Sequence, residues 1–260
     1  MFAFAACSRD NASSIKDGKK EKSEMNNNEL QKNFTMKFSS VPKLIIAKQE
    51  ASLSFIPKNI KDSTANIPLD VVHEKKIHLI VVSNDLSWFR QIHPESKSDG
   101  SYNVTTKFPH GGDFVMFADY TPTGFSNQVT RIPVNVSGNQ LEAKKYSVQK
   151  LIWQGDDGYK AEINTDGKLI SGKETLLKVL ITKNEKPVTD LDVYLGALGH
   201  FAIISEDTKN YLYAHAMDLR IKGTEIIFHT EFETAGIYRG FLQFNHAEKI
   251  HTADFVLILQ

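Results

Sequence analysis

The sequence predicts an all-β protein made of two tandem immunoglobulin-like β-sandwich domains that arose by internal duplication. Three observations carry this expectation. Short runs rich in β-branched and aromatic residues recur along the chain, each bounded by Gly, Asn, Asp or Pro. No stretch holds a helical apolar period with caps. The chain also matches itself when slid by 122 to 124 residues: His78 falls on His200, Ser83 on Ser205, Asp85 on Asp207 and His93 on His215. After a two-residue slip, Phe108 falls on Phe232, Gly112 on Gly236 and Phe117 on Phe241. Solenoid units repeat every 20–50 residues or so, which makes each copy here a domain and not a stacking unit.

Residues 1–35 come first. After residue 7 they are rich in Ser, Lys, Asn and Glu without apolar period, a composition that cannot bury a core and reads as a flexible linker. Phe4-Ala5-Ala6-Cys7 resembles the end of a bacterial lipoprotein signal, where small residues precede a lipidated cysteine. Only six residues precede Cys7, fewer than the basic segment plus apolar stretch of about 7–15 residues that such a signal needs. The lipidation reading therefore requires an upstream start; the other reading is a free thiol. A single cysteine makes neither an internal disulfide nor a CxxC zinc site.

The first sandwich is expected over 36–138, from runs such as KLIIA, IHLIVVS, FVMFADY and TRIPVNV; the second over 139–260, from TLLKVLIT, HFAIIS, EIIFHTEF, IYRGFLQF and DFVLIL. Phe114, Met116, Ala118 and Tyr120 alternate with Val115, Phe117 and Asp119, and Tyr238, Gly240, Leu242 and Phe244 repeat the pattern. One apolar face per strand fits sheet-on-sheet packing, and about seven strands per roughly 100 residues fits an immunoglobulin-like sandwich.

One hairpin in each copy carries a histidine at either end. The first reads HLIVVSNDLSWFRQIHP from His78 to Pro94, the second HFAIISEDTKNYLYAH from His200 to His215; both histidine pairs are 15 residues apart. If Ser83 opposes Trp88, then His78 opposes His93. If Ser205 opposes Asn210, then His200 opposes His215. Opposed residues hold their Cβ atoms about 4.5–5.5 Å apart on one face, so two imidazoles can reach one metal ion with bonds of about 2.0–2.1 Å. A bulge would destroy the register. Further ligands would come from Met217, His229, His246 or His251 in the second copy, and from His73, His110 or Met116 in the first. The plain alternative is histidines that hydrogen-bond across a sheet as architecture. Asp85 and Asp207 read as turn residues. Trp88 and Phe89 lie in or beside the hairpin turn, where at least one could be exposed as a ligand platform. Trp153 is expected in the core near the domain junction.

Other function classes find little support. Zero net charge gives no sign of a nucleic-acid partner. No apolar run reaches the roughly 20 residues of a membrane span. HEKKIH and HAEKIH place the second histidine at i+5, where the zinc protease motif needs i+4, and GxSxG, P-loop and GxGxxG patterns are absent. The expectation is a protein that is not an enzyme.

The segments IHLIVVSNDLSWFRQIHPE, DGSYNV, FPHGGDFVMFADYTPTG, LGALGHFAIIS and GIYRGFLQF resemble bacterial secreted and lipid-anchored proteins with YtkA-like or FixH-like β-sandwich repeats. The likeness spans most of 36–260. That family commonly ends the hairpin with HxHP; here Gln91 and Tyr213 stand at the first histidine, and proline follows only His93. The resemblance implies copper or other heavy-metal handling in the bacterial cell envelope, periplasmic or on the outer-membrane surface, through a lipid anchor at Cys7. The metal ligands would be His200, His215 and Met217, with His78 and His93 in the first copy. Imidazole plus thioether suits Cu(I), with zinc as the alternative. The rival expectation is a metal-free binding or scaffold module that offers loops or an edge strand to another envelope protein.

Overall fold

In the computed structural model, which describes residues 33–62, 64, 66–216 and 225–260, the named elements are all β-strands. The first half contributes β1 (Phe34–Val41), β2 (Glu50–Asn59), β3 (Ile77–Ser83), β4 (Phe89–Ile92), β5 (Glu95–Ser96), β6 (Tyr102–Lys107), β7 (Gly112–Tyr120) and β8 (Gln128–Val136). The second contributes β9 (Ile152–Gln154), β10 (Tyr159–Asn164), β11 (Glu174–Lys183), β12 (Lys186–Pro187), β13 (His200–Ser205), β14 (Tyr211–His215), β15 (Glu225–Glu231), β16 (Gly236–His246) and β17 (Lys249–Leu259).

Each half forms two antiparallel sheets. The first pairs them in the orders β1-β2-β6-β5 and β4-β3-β7-β8; the second in β12-β11-β10-β9, with β15 on β11, and β14-β13-β16-β17. Strand alternation builds a separate core in each. Leu53, Phe55, Leu79, Val81, Phe114 and Met116 fill the first. Leu177, Val179, Phe201, Ile203, Leu242 and Phe255 fill the second. Gly240 is required where it sits: a Cβ there would lie 2.7 Å from Phe201 Cε2.

The single apolar face expected of every strand holds for β2 and β8, where buried and more open residues alternate. It fails for β3 and β13, which are buried at every residue. The physical reason is a third apolar layer. Ile80, Val82, Leu86, Val115 and Phe117 of the first sandwich pack against Ala202, Ile204 and Phe241 of the second. Burying a large apolar side chain is worth about 1.5–3 kcal/mol, so this layer binds the two sandwiches face to face.

The contact follows an approximate two-fold. Phe89 stacks on Phe241 at 4.5 Å between centroids, and Phe117 stacks on Tyr211 at 4.8 Å. At the sequence offsets of 122 and 124, Phe89 corresponds to Tyr211 and Phe117 to Phe241. One contact is thus made twice, as in an isologous dimer interface. Leu86 and Thr208, another corresponding pair, both have positive φ (54° and 57°). Each presents its carbonyl to an arginine of the other sandwich: Arg131 Nε donates to Thr208 O at 2.7 Å, and Arg239 Nε to Leu86 O at 3.3 Å. The connecting segment is strapped across the junction, with Tyr146 donating its hydroxyl to Leu86 O and lying under the Arg239 guanidinium at 4.3 Å.

Candidate metal centre

Two hairpin loops set the register that places the histidines. In the first, Ser83 N–H donates to Trp88 O (3.1 Å), Trp88 N–H donates to Ser83 Oγ (3.0 Å), and Ser83 Oγ donates to Asp85 Oδ1 (2.6 Å). In the second, Ser205, Asn210 and Asp207 repeat these bonds at 3.0, 2.9 and 2.7 Å. Asp85 and Asp207 are turn residues, as their positions suggested. The pairing then runs from Ile204↔Tyr211 to His200↔His215 in the second hairpin. In the first it runs from Val82↔Phe89 to Leu79↔Ile92, one step short of His78 and His93.

Side-chain alternation puts these histidines on the third layer, not in either core. His78 shares its face with Ile80 and Val82, and His93 with Phe89 and Gln91. His200 and His215 sit likewise with Ala202 and Tyr213. The rings of both pairs stand 5.1 Å apart at 88°, the same geometry twice.

Backbone carbonyls orient the inner histidines. His78 Nε2 lies 3.0 Å from Val72 O, and His200 Nε2 lies 2.7 Å from Tyr194 O. A carbonyl only accepts, so Nε2 carries the hydrogen and Nδ1 keeps its lone pair. Metal-binding imidazoles are commonly fixed in this way. Val72 and Tyr194 close two-residue turns onto Lys75 and Ala197, with positive φ at His73–Glu74 and at Leu195–Gly196.

The two pairs differ in what faces their lone pairs. In the first, Gln91 Nε2 lies 3.5 Å from His78 Nδ1 and 3.3 Å from His93 Nε2, and it also donates to the Tyr213 hydroxyl across the junction. In the second, His200 Nδ1 and His215 Nε2 are buried without a hydrogen-bond partner among the described residues. Leaving a buried polar atom unpaired costs about 1–3 kcal/mol, and two such nitrogens across one strand pair fit a ligand that accepts electron pairs. His73 adds a third ring from the first sandwich. It stacks on His215 at 3.6 Å, lies 5.9 Å from His200, and hydrogen-bonds the Leu195 backbone.

Electrostatics keep the imidazoles neutral, the form that binds metal. Burial, then the neighbouring His78, Lys75 and His200, lowers His93 to about 3. Burial, then His73, His200 and His78, lowers His215 to about 3. Burial lowers His200 to about 4, against the Tyr194 hydrogen bond. His73 and His78 are lowered too, again chiefly by burial. Asp119 on β7 is the register partner of His78. Burial pushes its carboxyl up to about 6, against a hydrogen bond from Asn127 at 2.6 Å. Gln243 takes the corresponding place opposite His200. Among the described residues no group of three or more His, Cys, Asp or Glu side chains is arranged to hold one ion. The second pair therefore offers two nitrogen donors, and what it fits is an ion content with two.

Of the other ligands weighed from sequence, Met217 and Cys7 lie outside the described residues. Met116 is fully buried in the first core, and His110 Nδ1 pairs with Gly111 O at 2.8 Å beside Phe114. His229 is exposed, with its Nδ1 2.6 Å from the Glu174 carboxylate. His246 bonds the Tyr159 hydroxyl at 2.6 Å, and His251 stacks on Phe244, both on the core face of their sheet. None of these five joins the pairs. His73 does, but at the pair of the second sandwich, which the sequence did not suggest. The available signal was the offset that aligns His73 with Leu195, two residues the approximate two-fold brings into contact. Phe89 is no free platform, since it stacks in the junction, and Trp88 packs half-buried against Phe114. Trp153 packs on the second core beside Phe244, away from the apolar layer of the junction.

A family model described as "Domain of unknown function (DUF8832)" matches residues 154–260, under half of the chain. No curated protein matches it. Among solved structures the chain is similar to the Escherichia coli adhesin FdeC (13% identity, TM-score 0.28, covering 86% of this chain and 64% of that one). It is also similar to Escherichia coli alpha-2-macroglobulin activated by porcine elastase (12%, 0.30, 87% and 20%). A further likeness is to the Yersinia pseudotuberculosis adhesin InvE (10%, 0.26, 87% and 60%). The chain spans less than two thirds of the length of each of these three.

Proposed function

We propose that this chain is a non-enzymatic protein of the bacterial cell envelope that binds one soft transition-metal ion, Cu(I) ahead of Zn(II), between His200 and His215. The observation that carries the reading is the pair of buried, unpartnered nitrogens, His200 Nδ1 and His215 Nε2, on directly opposed residues. The choice of ion follows from charge. The pair supplies neutral donors and no carboxylate. The cost of placing an ion in a poorly solvated site rises with the square of its charge, so a univalent ion is favoured over a divalent one. Two-nitrogen ligation is also too sparse for a tetrahedral zinc site. The resemblance to copper-associated envelope proteins points the same way. Lipidation at Cys7, a tether over 1–35, and duplication of one ancestral sandwich belong to the same proposal; the matched hairpins and the two-fold junction support the last.

The test is calorimetric titration of the chain carrying Cys7→Ser with Cu(I), Cu(II) and Zn(II), beside a His200→Ala/His215→Ala variant in the same background. Stoichiometric Cu(I) binding that disappears in the variant supports the site. Binding no tighter than about millimolar, near −4 kcal/mol, sinks it and leaves the histidines as junction architecture in a metal-free scaffold module.

A further inference from the structure

We propose that the Gln91 carboxamide is a built-in stopper of the first histidine pair, so that the chain loads a single univalent ion, at the second pair alone. The inference rests on the reading of His200 and His215 as donors. The two hairpins match in loop bonds, in ring separation and in the carbonyl that orients the inner histidine. Next to the histidines they differ where Gln91 corresponds to Tyr213.

A carboxamide NH2 group donates two hydrogens and accepts none. Gln91 Nε2 lies within 3.5 Å of His78 Nδ1 and 3.3 Å of His93 Nε2. These are the counterparts of the two nitrogens left free in the second pair. The amide nitrogen therefore stands within hydrogen-bond reach of both ring nitrogens, and it turns the positive end of its remaining N–H bond toward the place an ion would take. One amide hydrogen goes to the Tyr213 hydroxyl, so the other is shared between the two imidazole nitrogens, and a cation entering there would have to displace that hydrogen bond and meet its dipole. Tyr213 cannot do the same for the second pair. Its hydroxyl reaches across the junction to accept from Gln91, and its ring lies beside His200 and His215 at 5.8 and 4.7 Å. Tyr213 is in this sense the positioning residue of the stopper.

The experiment titrates the full chain carrying Cys7→Ser, which removes its single thiol, with Ag(I), a redox-inert univalent probe, by calorimetry, and follows the imidazole nitrogens by 15N NMR; all variants are made in that background. The wild type is expected to take one equivalent, and Gln91→Ala two. His200→Ala/His215→Ala should take none, and adding Gln91→Ala to that double variant should restore one equivalent that shifts His78 Nδ1 and His93 Nε2. Gln91→Leu keeps most of the side chain's volume and offers neither a donor nor a metal ligand, so it should also give a second equivalent even if Gln91→Ala folds poorly. A wild type that binds two equivalents overturns the stopper, as does a Gln91 variant of the double mutant that stays empty. A wild type that binds none, beside a Gln91→Ala/His200→Ala/His215→Ala variant that binds one, would fail the second pair as a site and uphold the stopper.

Discussion

Moving the metal-free protein from pH 7 to pH 5 should cost about 2–3 kcal/mol of folding stability. His200, His93 and His215 are all lowered in the fold, to about 4, 3 and 3, from an unfolded value near 6.5. The unfolded chain then binds more protons as pH falls. The stability these groups contribute is present above about pH 6.5 and is lost on the way down to their folded values. His200 is fully buried, and over pH 7 to 5 its share is about 2 kcal/mol. His93 and His215 are more open; discounted by about half for solvent screening, each contributes about 1 kcal/mol. Asp119 opposes them. Its folded value of about 6 lies above the unfolded one, so the folded state takes up a proton as pH falls and gains about 1 kcal/mol. Asp85, Asp207 and Asp254 are lowered carboxylates whose losses fall below this window. Urea unfolding at the two pH values reads the difference as a shift in midpoint at constant slope. Asp119→Asn should deepen the loss to about 4 kcal/mol, and His200→Phe should remove about 2 kcal/mol of it. A midpoint that is flat or rises between pH 7 and 5 in both wild type and Asp119→Asn would refute the reasoning.

Three further outcomes are expected. Phe241→Ala opens the junction layer and should cost about 3–5 kcal/mol in urea unfolding; in a double-mutant cycle with Phe89→Ala the stacked pair should return a coupling of about 0.5–1.5 kcal/mol. Arg131→Ala strips Thr208 of two donors at 2.7 Å and should cost about 1–3 kcal/mol, while Arg131→Lys recovers only part because it lacks the fork. Gly240→Ala forces a Cβ to within 2.7 Å of the Phe201 ring and should lower stability by about 1–3 kcal/mol, an effect that Phe201→Leu in the same chain should relieve.

The all-β class and the cross-strand meeting of both histidine pairs were legible in the sequence. Strand periodicity is local, and a hairpin register follows once one opposed pair, Ser83 with Trp88 or Ser205 with Asn210, is identified. The junction was not read, although IHLIVVS and HFAIIS carried its signature. Apolar runs without alternation mark strands covered on both faces. Treating each sandwich as self-contained left Ile80, Val82, Ala202 and Ile204 without a partner and gave no reason for His73 to approach His215. Its ring crosses to the other sandwich from a turn, and turn chemistry alone does not say what a turn touches. Gln91 and Tyr213 stood out in the sequence only as departures from a resemblance. Their hydrogen bond to each other depends on the two-fold, a property of the packed pair of domains and not of either hairpin.

The axis also explains why the two pairs are unequal. Near an approximate two-fold, corresponding residues meet each other: Gln91 meets Tyr213, and His73 meets Leu195. Strict symmetry would place two identical side chains at each meeting point. Two tyrosines would leave both pairs open, and two glutamines would give both pairs a donor. With one of each, the amide serves the first pair while the phenol accepts from it, and the second pair keeps its lone pairs. The same asymmetry puts an imidazole rather than an isobutyl group over His215, so the open pair is covered by a ring from the opposite sandwich. An ion held there would lie under a turn of the first sandwich, and any binding energy confined to the docked state would add to the cohesion of the junction. Chemistry that neither hairpin carries alone thus comes from differences at the few positions where the two sandwiches touch each other.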